Sequence, residues 1–407
     1  MRREGGKEDA VARSSSVIVS GARTPIGKLA GALGQRSAAE LGGVAIAGAL
    51  ERAGISGEAV DAVLMGHVIG AGAGQITARQ AAVTAGIPMT VPATTINKVC
   101  LSGLQAVHLA DLMIRAGEAD IVVAGGMESM TNAPYLLPGA RSGYRMGDRQ
   151  VVDSMLADGL TCAFDHCGMG EATEAYAAKS AFSVSREAQD RFAALSHERA
   201  AAALKEGRLA EEIVPVRIEQ RRGDPILCET DEGVRPETTV ESLAALRPAF
   251  GRDGTITAGN ASQISDGGAA VIVMSEEQAL ARGLTPLARI LGYGQVAGPD
   301  ASLLTQPSQA IRAALSSAGR QLSEVTVFEI NEAFAIVGLS AMQDLGIDSS
   351  VTNLNGGAIA LGHPLGMSGT RLVLTLAYEL RRRGGGLGAA GLCGGGGQGD
   401  AIILESA

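Results

Sequence analysis

Three residues of this chain combine a reactive side chain with a backbone setting suited to catalysis. Cys100 stands in NKVCLSG (97–103), where an apolar strand-like run hands over to an amphipathic helix. His363 stands in the glycine-dense NGGAIALGHPLGMSG (355–369), and Cys393 in GLCGGGGQG (391–399), at the end of a short apolar strand. Helix N-terminal amides favour an anion, so a cysteine at the start of a helix running to about Ala116 is expected to have a lowered pKa. Its thiolate is a strong nucleophile toward thioesters. The glycines around His363 permit close backbone approach. The four glycines behind Cys393 can present several N–H groups to an oxyanion. Asn331 and Glu332, in NEAFA (331–335), follow another strand end, where an amide can orient a water or a carbonyl oxygen.

An internal repeat says how these residues come together. ALERAG (49–54) is matched by ALSSAG (314–319), 265 residues further on. Each ends a helical stripe, Ile46, Leu50 and Ala53 in one and Ile311, Leu315 and Ala318 in the other, and each closes on a C-capping glycine. Strand-like runs follow, AVLMG (62–66) and VTVFEI (325–330). Ser102-Gly103 is matched by Ser368-Gly369, each opening a helix. Leu104, Val107 and Ala110 form the stripe of the first, and Leu372, Leu376 and Leu380 that of the second. The helices stop near Gly117 and Gly384 and give way to IVVAGG (121–126) and LGAAGLCGGGG (387–397). The chain therefore reads as two similar α/β halves. By this register Gly366 is the repeat equivalent of Cys100, so Cys100 and His363 sit on loops feeding equivalent helix starts. Such loops converge in a two-fold-like assembly and give a Cys–His pair.

The first half covers 1–130 and resumes at about 250–283 with GTITAGNASQISDGGAAVIVMS, which ends in a buried strand; the second covers 284–407. Residues 131–249 are richer in charge and turn residues and read as an inserted lid or binding wall.

Composition excludes several classes. The chain has 407 residues and is 46% hydrophobic but 3% aromatic, with 56 Gly and no Trp, so its core is built from Ala, Val, Leu and Ile. A net charge of −9 leaves no basic footprint for nucleic acid and no pull toward an anionic membrane. No apolar run approaches the roughly 20 residues of a membrane span. MRREGGKEDAVARSSS reads as a frayed leader on a cytoplasmic protein, and five scattered cysteines fit a reduced compartment. GARTPIGK (21–28) fails as a phosphate loop, because Leu29 stands where Ser or Thr is needed. Cys162, His166 and Cys167 lack a second ligand pair at zinc spacing. His67, His108 and His197 read as structural or surface residues, and Cys228 as a surface or loop residue.

With these residues in place, the chain resembles the thiolase family from about residue 15 to its end. NKVCLSG, GGMESM (125–130), GNAS (259–262), NEAFA, NGGAIALGHPLGMSG and CGGGG (393–397) occur in the family's order. The resemblance implies a five-layered α-β-α-β-α fold of two similar halves, with residues 131–249 as a loop domain that binds coenzyme A. It makes Cys100 the acyl-carrying nucleophile, His363 its activator, and Cys393 the general acid/base. His363 with a water held by Asn331 forms one oxyanion hole; the N–H groups of Cys100 and Gly395 form the other. Ser262 contacts the pantetheine arm, with Leu160, Met169, Ala258 and Phe334 near the acyl or pantetheine end, and Arg221 contacts the nucleotide phosphate.

The resemblance is nearest to the short-chain branch, which joins two acetyl-CoA into acetoacetyl-CoA and coenzyme A without a metal or redox cofactor. It further implies a homodimer or homotetramer, with GAGAGQITARQAA (71–83) near the subunit contacts. A thiolase for longer 3-ketoacyl chains in fatty-acid degradation is the alternative. A β-ketoacyl synthase-like enzyme typically has His or Asn at the place of Cys393. A non-catalytic scaffold is expected to lack one of the three reactive residues. Two departures stand out: Gly168-Met169-Gly170 where many members have His-Met-Gly, and Gly394 where Ile is common.

Overall fold

The computed structural model describes residues 15–220 and 222–407. Strands of four or more residues are β1 (Ser16–Arg23), β2 (Ala62–Gly66), β3 (Ala93–Ile96), β4 (Ile121–Ser129), β5 (Ser265–Ser275), β6 (Ala288–Ala297), β7 (Val325–Ile330), β8 (Leu387–Gly394) and β9 (Gln398–Ser406). Helices of eight or more are α1 (Ala38–Ala53), α2 (Thr77–Thr84), α3 (Ser102–Ala116), α4 (Met169–Ala177), α5 (Arg186–Lys205), α6 (Gln306–Ala318), α7 (Ala335–Leu345) and α8 (Leu365–Arg382).

Strand order carries the repeat. The path runs β7-β8-β9-β6-β1-β5-β4-β2-β3. Outward from its middle, β1-β5-β4-β2 and β6-β9-β8-β7 are the same arrangement. In each, the outer neighbours (β4 with β2, β8 with β7) are parallel and the inner pairs antiparallel. The halves meet at a narrow seam, where only Val17 and Ile18 of β1 pair with Arg289 and Ala288 of β6.

Each half-sheet is apolar on both faces, so each needs a helical layer on both sides. One face of the first half packs Val63, Met65, Val123 and Ile272 against α1 and α2. One face of the second packs Phe328, Ala389 and Ile403 against α6 and α7. The remaining faces, with Leu64, Val122, Val271, Val327, Leu392 and Ile402, enclose α3 and α8 between them. This is the five-layered α-β-α-β-α arrangement, with α3 and α8 as the middle layer. The C-capping glycines fall where the sequence put them: Gly54, Gly117 and Gly319 have φ of 63°, 71° and 65°. Val99–Ala116 is apolar and long enough by composition to cross a membrane, but it contains the central helix α3, whose Leu104, Val107, Ala110 and Ile114 are buried in the core.

The repeated Ser-Gly pairs mark where α3 and α8 touch. A Cβ on Gly103 would lie 2.7 Å from the Gly366 carbonyl oxygen, and one on Gly369 2.4 Å from the Leu104 nitrogen. The two helix starts are thus in backbone contact, and the loops entering them are forced together.

Between β4 and β5 the chain leaves the sheet. This excursion contains α4, α5 and two short hairpins, Tyr135–Leu136 with Val152–Asp153 and Val216–Ile218 with Ile226–Cys228. Arg23, from the rejected phosphate-loop segment, ties it down through fully buried bonds of 2.7 and 2.9 Å to Asp231 and a 3.1 Å contact with Glu212. The reading of Cys228 needs correction. It is buried with Leu33, Leu41, Val216 and Ile218, because it pairs with the buried Val216 at the inner end of its short strand, while Ile226 and Leu227 before it are exposed.

Candidate active site

Each loop is built to hold one reactive group. After β3 the chain turns sharply at Val99, whose φ of 49° is costly for a β-branched residue, about 1–3 kcal/mol. Local bonds hold it there. Val99 N–H donates to Asn97 Oδ1 at 3.0 Å, and Ser102 Oγ–H donates to the Val99 carbonyl at 2.6 Å. Lys98 Nζ crosses to the other half and bonds both oxygens of the buried Asp400, at 2.7 and 2.8 Å. Cys100 is thereby displayed just ahead of α3.

His363 enters the start of α8 through Gly362, whose φ is 117° and where a Cβ would lie 2.4 Å from Ser265 Oγ. Its Nδ1 is 2.6 Å from Ser368 Oγ, while that hydroxyl lies 2.9 Å from the Pro364 carbonyl. The one hydroxyl hydrogen goes to the carbonyl, so Ser368 accepts Nδ1–H and Nε2 is left as the basic nitrogen. Asn331 Nδ2 is 3.5 Å from Nε2, and Asn331 Oδ1 is buried without a partner among the described residues. Behind it, Glu332 is fixed by Ser196, Asn353 and the Ile359 N–H. The GNAS and NEAFA segments are pinned together by the Ser262 N–H to the Ala333 carbonyl, 3.0 Å.

These loops surround one cavity of about 60 Å³. It is lined by Cys100, His363, Cys393 and Gly395, together with Ser262, Leu160, Met169 and Phe334. The sequence did not single out Val99, Gly159, Leu303, Ala333 and Leu365, which complete the wall. Asn331 is not on the wall itself but lies beside the Nε2 edge of His363. Ala258 is exposed on a turn outside the cavity, and Arg221 lies outside the described residues. Among the described residues no cluster of three His, Cys, Asp or Glu could hold a metal ion. His67, His108 and His197 take structural places. His67 bonds Thr77, His108 stacks on Tyr293 at 3.7 Å, and His197 accepts the Arg235 N–H. At the two family departures, a Cβ on Gly168 meets open space, while one on Gly394 would lie 2.6 Å from Leu101 Cγ.

The electrostatics correct one expectation. The Cys100 thiol is not acidified; burial pushes its pKa up to about 11. Helix α3 begins only at Ser102, so its open amides lie past the sulfur, and the surroundings are mostly apolar. The N–H groups of Gly395 and of Cys100 itself do converge on the sulfur and favour the thiolate, without outweighing burial. Glu128 adds a smaller opposing effect. It is buried below the site, where it accepts the N–H groups of Val68, Ile69 and Gly366, and burial raises its pKa to about 7. Burial lowers His363 to about 4, with Arg371 adding to the effect, so its imidazole is neutral and able to take a proton at neutral pH. Cys393 is held above the ordinary thiol range, first by burial and then by the neighbouring Cys100. The site therefore contains two protonated thiols, one neutral base and a pair of converging backbone donors.

Comparison with known proteins agrees with this geometry. The family model "Thiolase, N-terminal domain" matches residues 16–277 and "Thiolase, C-terminal domain" matches 284–406. The chain is 56% identical to the "Probable acetyl-CoA acetyltransferase" of Mycobacterium tuberculosis over 393 residues, 97% of this chain and 100% of the relative. It is 51% identical to the "Acetyl-CoA acetyltransferase" of Cupriavidus necator over 390 residues, covering 96% and 98%. It is 49% identical to the "Acetyl-CoA acetyltransferase" of Pseudomonas aeruginosa over 388, covering 95% and 98%. The repeat, the layered fold and these matches over nearly the whole length agree, and the chain belongs to the thiolase family.

Proposed function

We infer that the chain is an acetyl-CoA C-acetyltransferase, an acyltransferase that condenses two acetyl-CoA into acetoacetyl-CoA and coenzyme A, and that runs the reverse thiolysis. The observation that carries this reading is the meeting of Cys100, His363, Cys393 and the Gly395 N–H in one small, mostly apolar cavity. The names of its near full-length relatives support it.

The chemistry follows from the groups present. His363 Nε2 takes the Cys100 proton as the sulfur attacks the thioester carbonyl; the tetrahedral oxyanion collapses, coenzyme A leaves with the Cys393 proton, and acetyl-Cys100 remains beside a Cys393 thiolate and a protonated His363. A second acetyl-CoA enters, and Cys393, as thiolate, removes a proton from its methyl group. The resulting carbanion attacks acetyl-Cys100, forms the carbon–carbon bond and expels the Cys100 thiolate, which takes its proton back from His363. The N–H groups of Cys100 and Gly395 form one oxyanion hole. Asn331, through a water on its unpartnered Oδ1, serves with His363 as the other. Such donors supply about 3–4 kcal/mol each to the transition state. An acyl group and protons move with no net redox change, so we assign no metal or redox cofactor. Residues 131–249 form the coenzyme A wall, with Ser262 and Ala258 along the pantetheine arm and Arg221 toward the nucleotide phosphate.

Cavity volume favours the short chain over longer 3-ketoacyl substrates. At about 10–15 Å³ per water-sized group, 60 Å³ admits a handful of atoms, with Met169 and Phe334 on its wall. A single methylene that fits changes binding by only about 1–3 kcal/mol, so rejection of long chains must be steric. The ratio of kcat/KM for acetoacetyl-CoA to that for 3-ketoacyl-CoAs of eight or more carbons is expected to exceed about tenfold. A ratio below unity replaces this reading with a longer-chain thiolase.

We also propose a homodimer or homotetramer in the cytoplasm. Strand β3 lies at an open sheet edge with partly exposed residues, beside Ile76 and Met89, which are exposed by 51% and 63%. Such an edge is ordinarily covered. Light scattering is expected to return at least twice the 41.2 kDa chain mass; a monomer at micromolar concentration would refute the assembly. Five free cysteines suit a reducing compartment.

A further inference from the structure

Residues 161–168 form a small hairpin beside the catalytic cavity, and two cysteines face each other across it. Thr161 bridges Gly168 in antiparallel register, so the next pair inward is Cys162 with Cys167. Cys162 N–H donates to the Cys167 carbonyl at 2.8 Å, and His166 N–H donates to the Cys162 carbonyl at 2.9 Å. His166 has φ of 54°, so it is the extra residue of a bulge that closes the turn and leaves Cys162 opposed to Cys167. Both cysteines are free thiols, and both pack in one cluster with Met169 and Tyr176 around Ala172 and Ala301. Neither lines the cavity of Cys100. Cys162 instead lines an adjoining groove of about 420 Å³, which shares Val99, Gly159, Met169 and Gly395 with that cavity.

We propose that Cys162 and Cys167 are a reversible disulfide site, oxidised by a low-molecular-weight disulfide, and that closing it slows acyl transfer by shifting Leu160 and Met169. The thiolate of Cys167, the more exposed of the two, attacks the small disulfide and expels one small thiolate. The thiolate of Cys162 then attacks the Cys167 sulfur and expels the second. In balance, two cysteine thiols and one disulfide give the Cys162–Cys167 bond and two small thiols, with both protein protons transferred to the leaving sulfurs.

Geometry makes the bond attainable but not relaxed. Cys162 and Cys167 share one of the two bonds of a hydrogen-bonded antiparallel pair, the other going to His166, and such a pair has Cα atoms about 5.5 Å apart, inside the roughly 4.4–6.8 Å range of disulfides. Its Cβ atoms are more widely spaced than the roughly 3.8 Å a disulfide prefers, so the two arms must draw together. The Cys162 sulfur must also leave Asp165, whose N–H it accepts at 3.4 Å and whose carboxylate it donates to at 3.3 Å. Strained disulfides are the readily reduced ones. The arms continue directly into Leu160 and Met169, which form part of the cavity wall. A displacement there of about 1 Å is enough to misplace a bound acyl group.

The test is to incubate the protein with oxidised glutathione, block free thiols with iodoacetamide and map the tryptic peptide Gln150–Lys179. The expected product is that peptide lighter by two hydrogens and unalkylated, with a fall in condensation kcat/KM of about tenfold or more that dithiothreitol reverses. Cys167→Ser is expected to match the untreated parent and to keep its activity under the same oxidation. Two alkylatable thiols in the treated peptide, a disulfide joining Cys100 to Cys393 instead, or equal loss in Cys167→Ser would overturn the proposal. So would a formed Cys162–Cys167 bond with unchanged kcat/KM. The kinetic arm rests on the acetyltransferase reading; untreated protein that fails to condense acetyl-CoA defeats that reading, while the peptide map still decides whether the bond forms.

Discussion

Cys393→Ala is expected to accumulate acetyl-enzyme yet lose condensation by at least about 10²–10⁴-fold, while Cys100→Ala forms no acetyl-enzyme at all. Both thiols lie in one apolar cavity, and burial holds both in the protonated form. What differs is their company. The Cys100 sulfur is met by two backbone N–H groups, its own and that of Gly395, which stabilise negative charge as the thioester is attacked. Cys393 has only its own N–H and the unfavourable neighbourhood of Cys100. That makes it a stronger base once ionised, and suits it to carry a proton rather than an acyl group. Acylation in Cys393→Ala is expected to be slower, because the leaving thiol loses a proton donor, but still stoichiometric. Intact mass after incubation with acetyl-CoA reads the first step, and acetoacetyl-CoA formation reads the whole. Condensation at near the parent rate in Cys393→Ala removes that residue as the base. Acetylation of Cys393 in Cys100→Ala reverses the two roles.

The second large effect concerns pH. A thiol with a pKa of about 11 is ionised in about one molecule in ten thousand at pH 7, so acylation depends on a base within reach. His363 is basic above about pH 4, and Ser368 keeps Nε2 free to accept. The parent acylation rate is therefore expected to be flat from about pH 5.5 to neutrality and to fall as pH drops toward 4, where the imidazole becomes protonated. In His363→Asn the rate at pH 7 is expected to fall about 10²–10⁴-fold and then to rise about tenfold per pH unit with the thiolate fraction. Rapid-quench acylation across pH 4–9 in both proteins measures this. A variant with the parent's flat profile would show that His363 is not the base.

Local features of the fold were the legible ones. Helix stripes ending on Gly54 and Gly319, and the strands after them, each need only a short window of sequence, and the two halves repeat them. The placing of Cys100 and His363 on one cavity followed from that repeat, because backbone contact at Gly103 and Gly369 makes the two helix starts neighbours. What escaped was set by distant residues. The acidity of Cys100 was misjudged because the apolar wall around it comes from Leu303, Ala333 and Leu365, far along the chain. The clamp of Lys98 on Asp400 joins the two halves and has no local signature. Ser368 was within reach, since its repeat partner Ser102 likewise bonds a carbonyl just before its own helix. The inward turn of Cys228 depends on Leu33 and Leu41, which no pattern near it announces.

The position of β5 bears on how the molecule comes off the ribosome. This strand lies between β1 and β4, yet the chain makes it only after the whole excursion that follows β4. Until residue 275 has emerged, β1 and β4 have no common neighbour and the first half-sheet stays in two pieces. Contacts between segments so distant in sequence form slowly, which leaves apolar strand edges open in the meantime. The reactive centre comes later still, because Cys100 waits for His363 and for Cys393, fourteen residues from the end of the chain. With the roles proposed above, a nascent or truncated chain holds an isolated thiol without its base, and is expected not to draw on acetyl-CoA before translation is nearly complete.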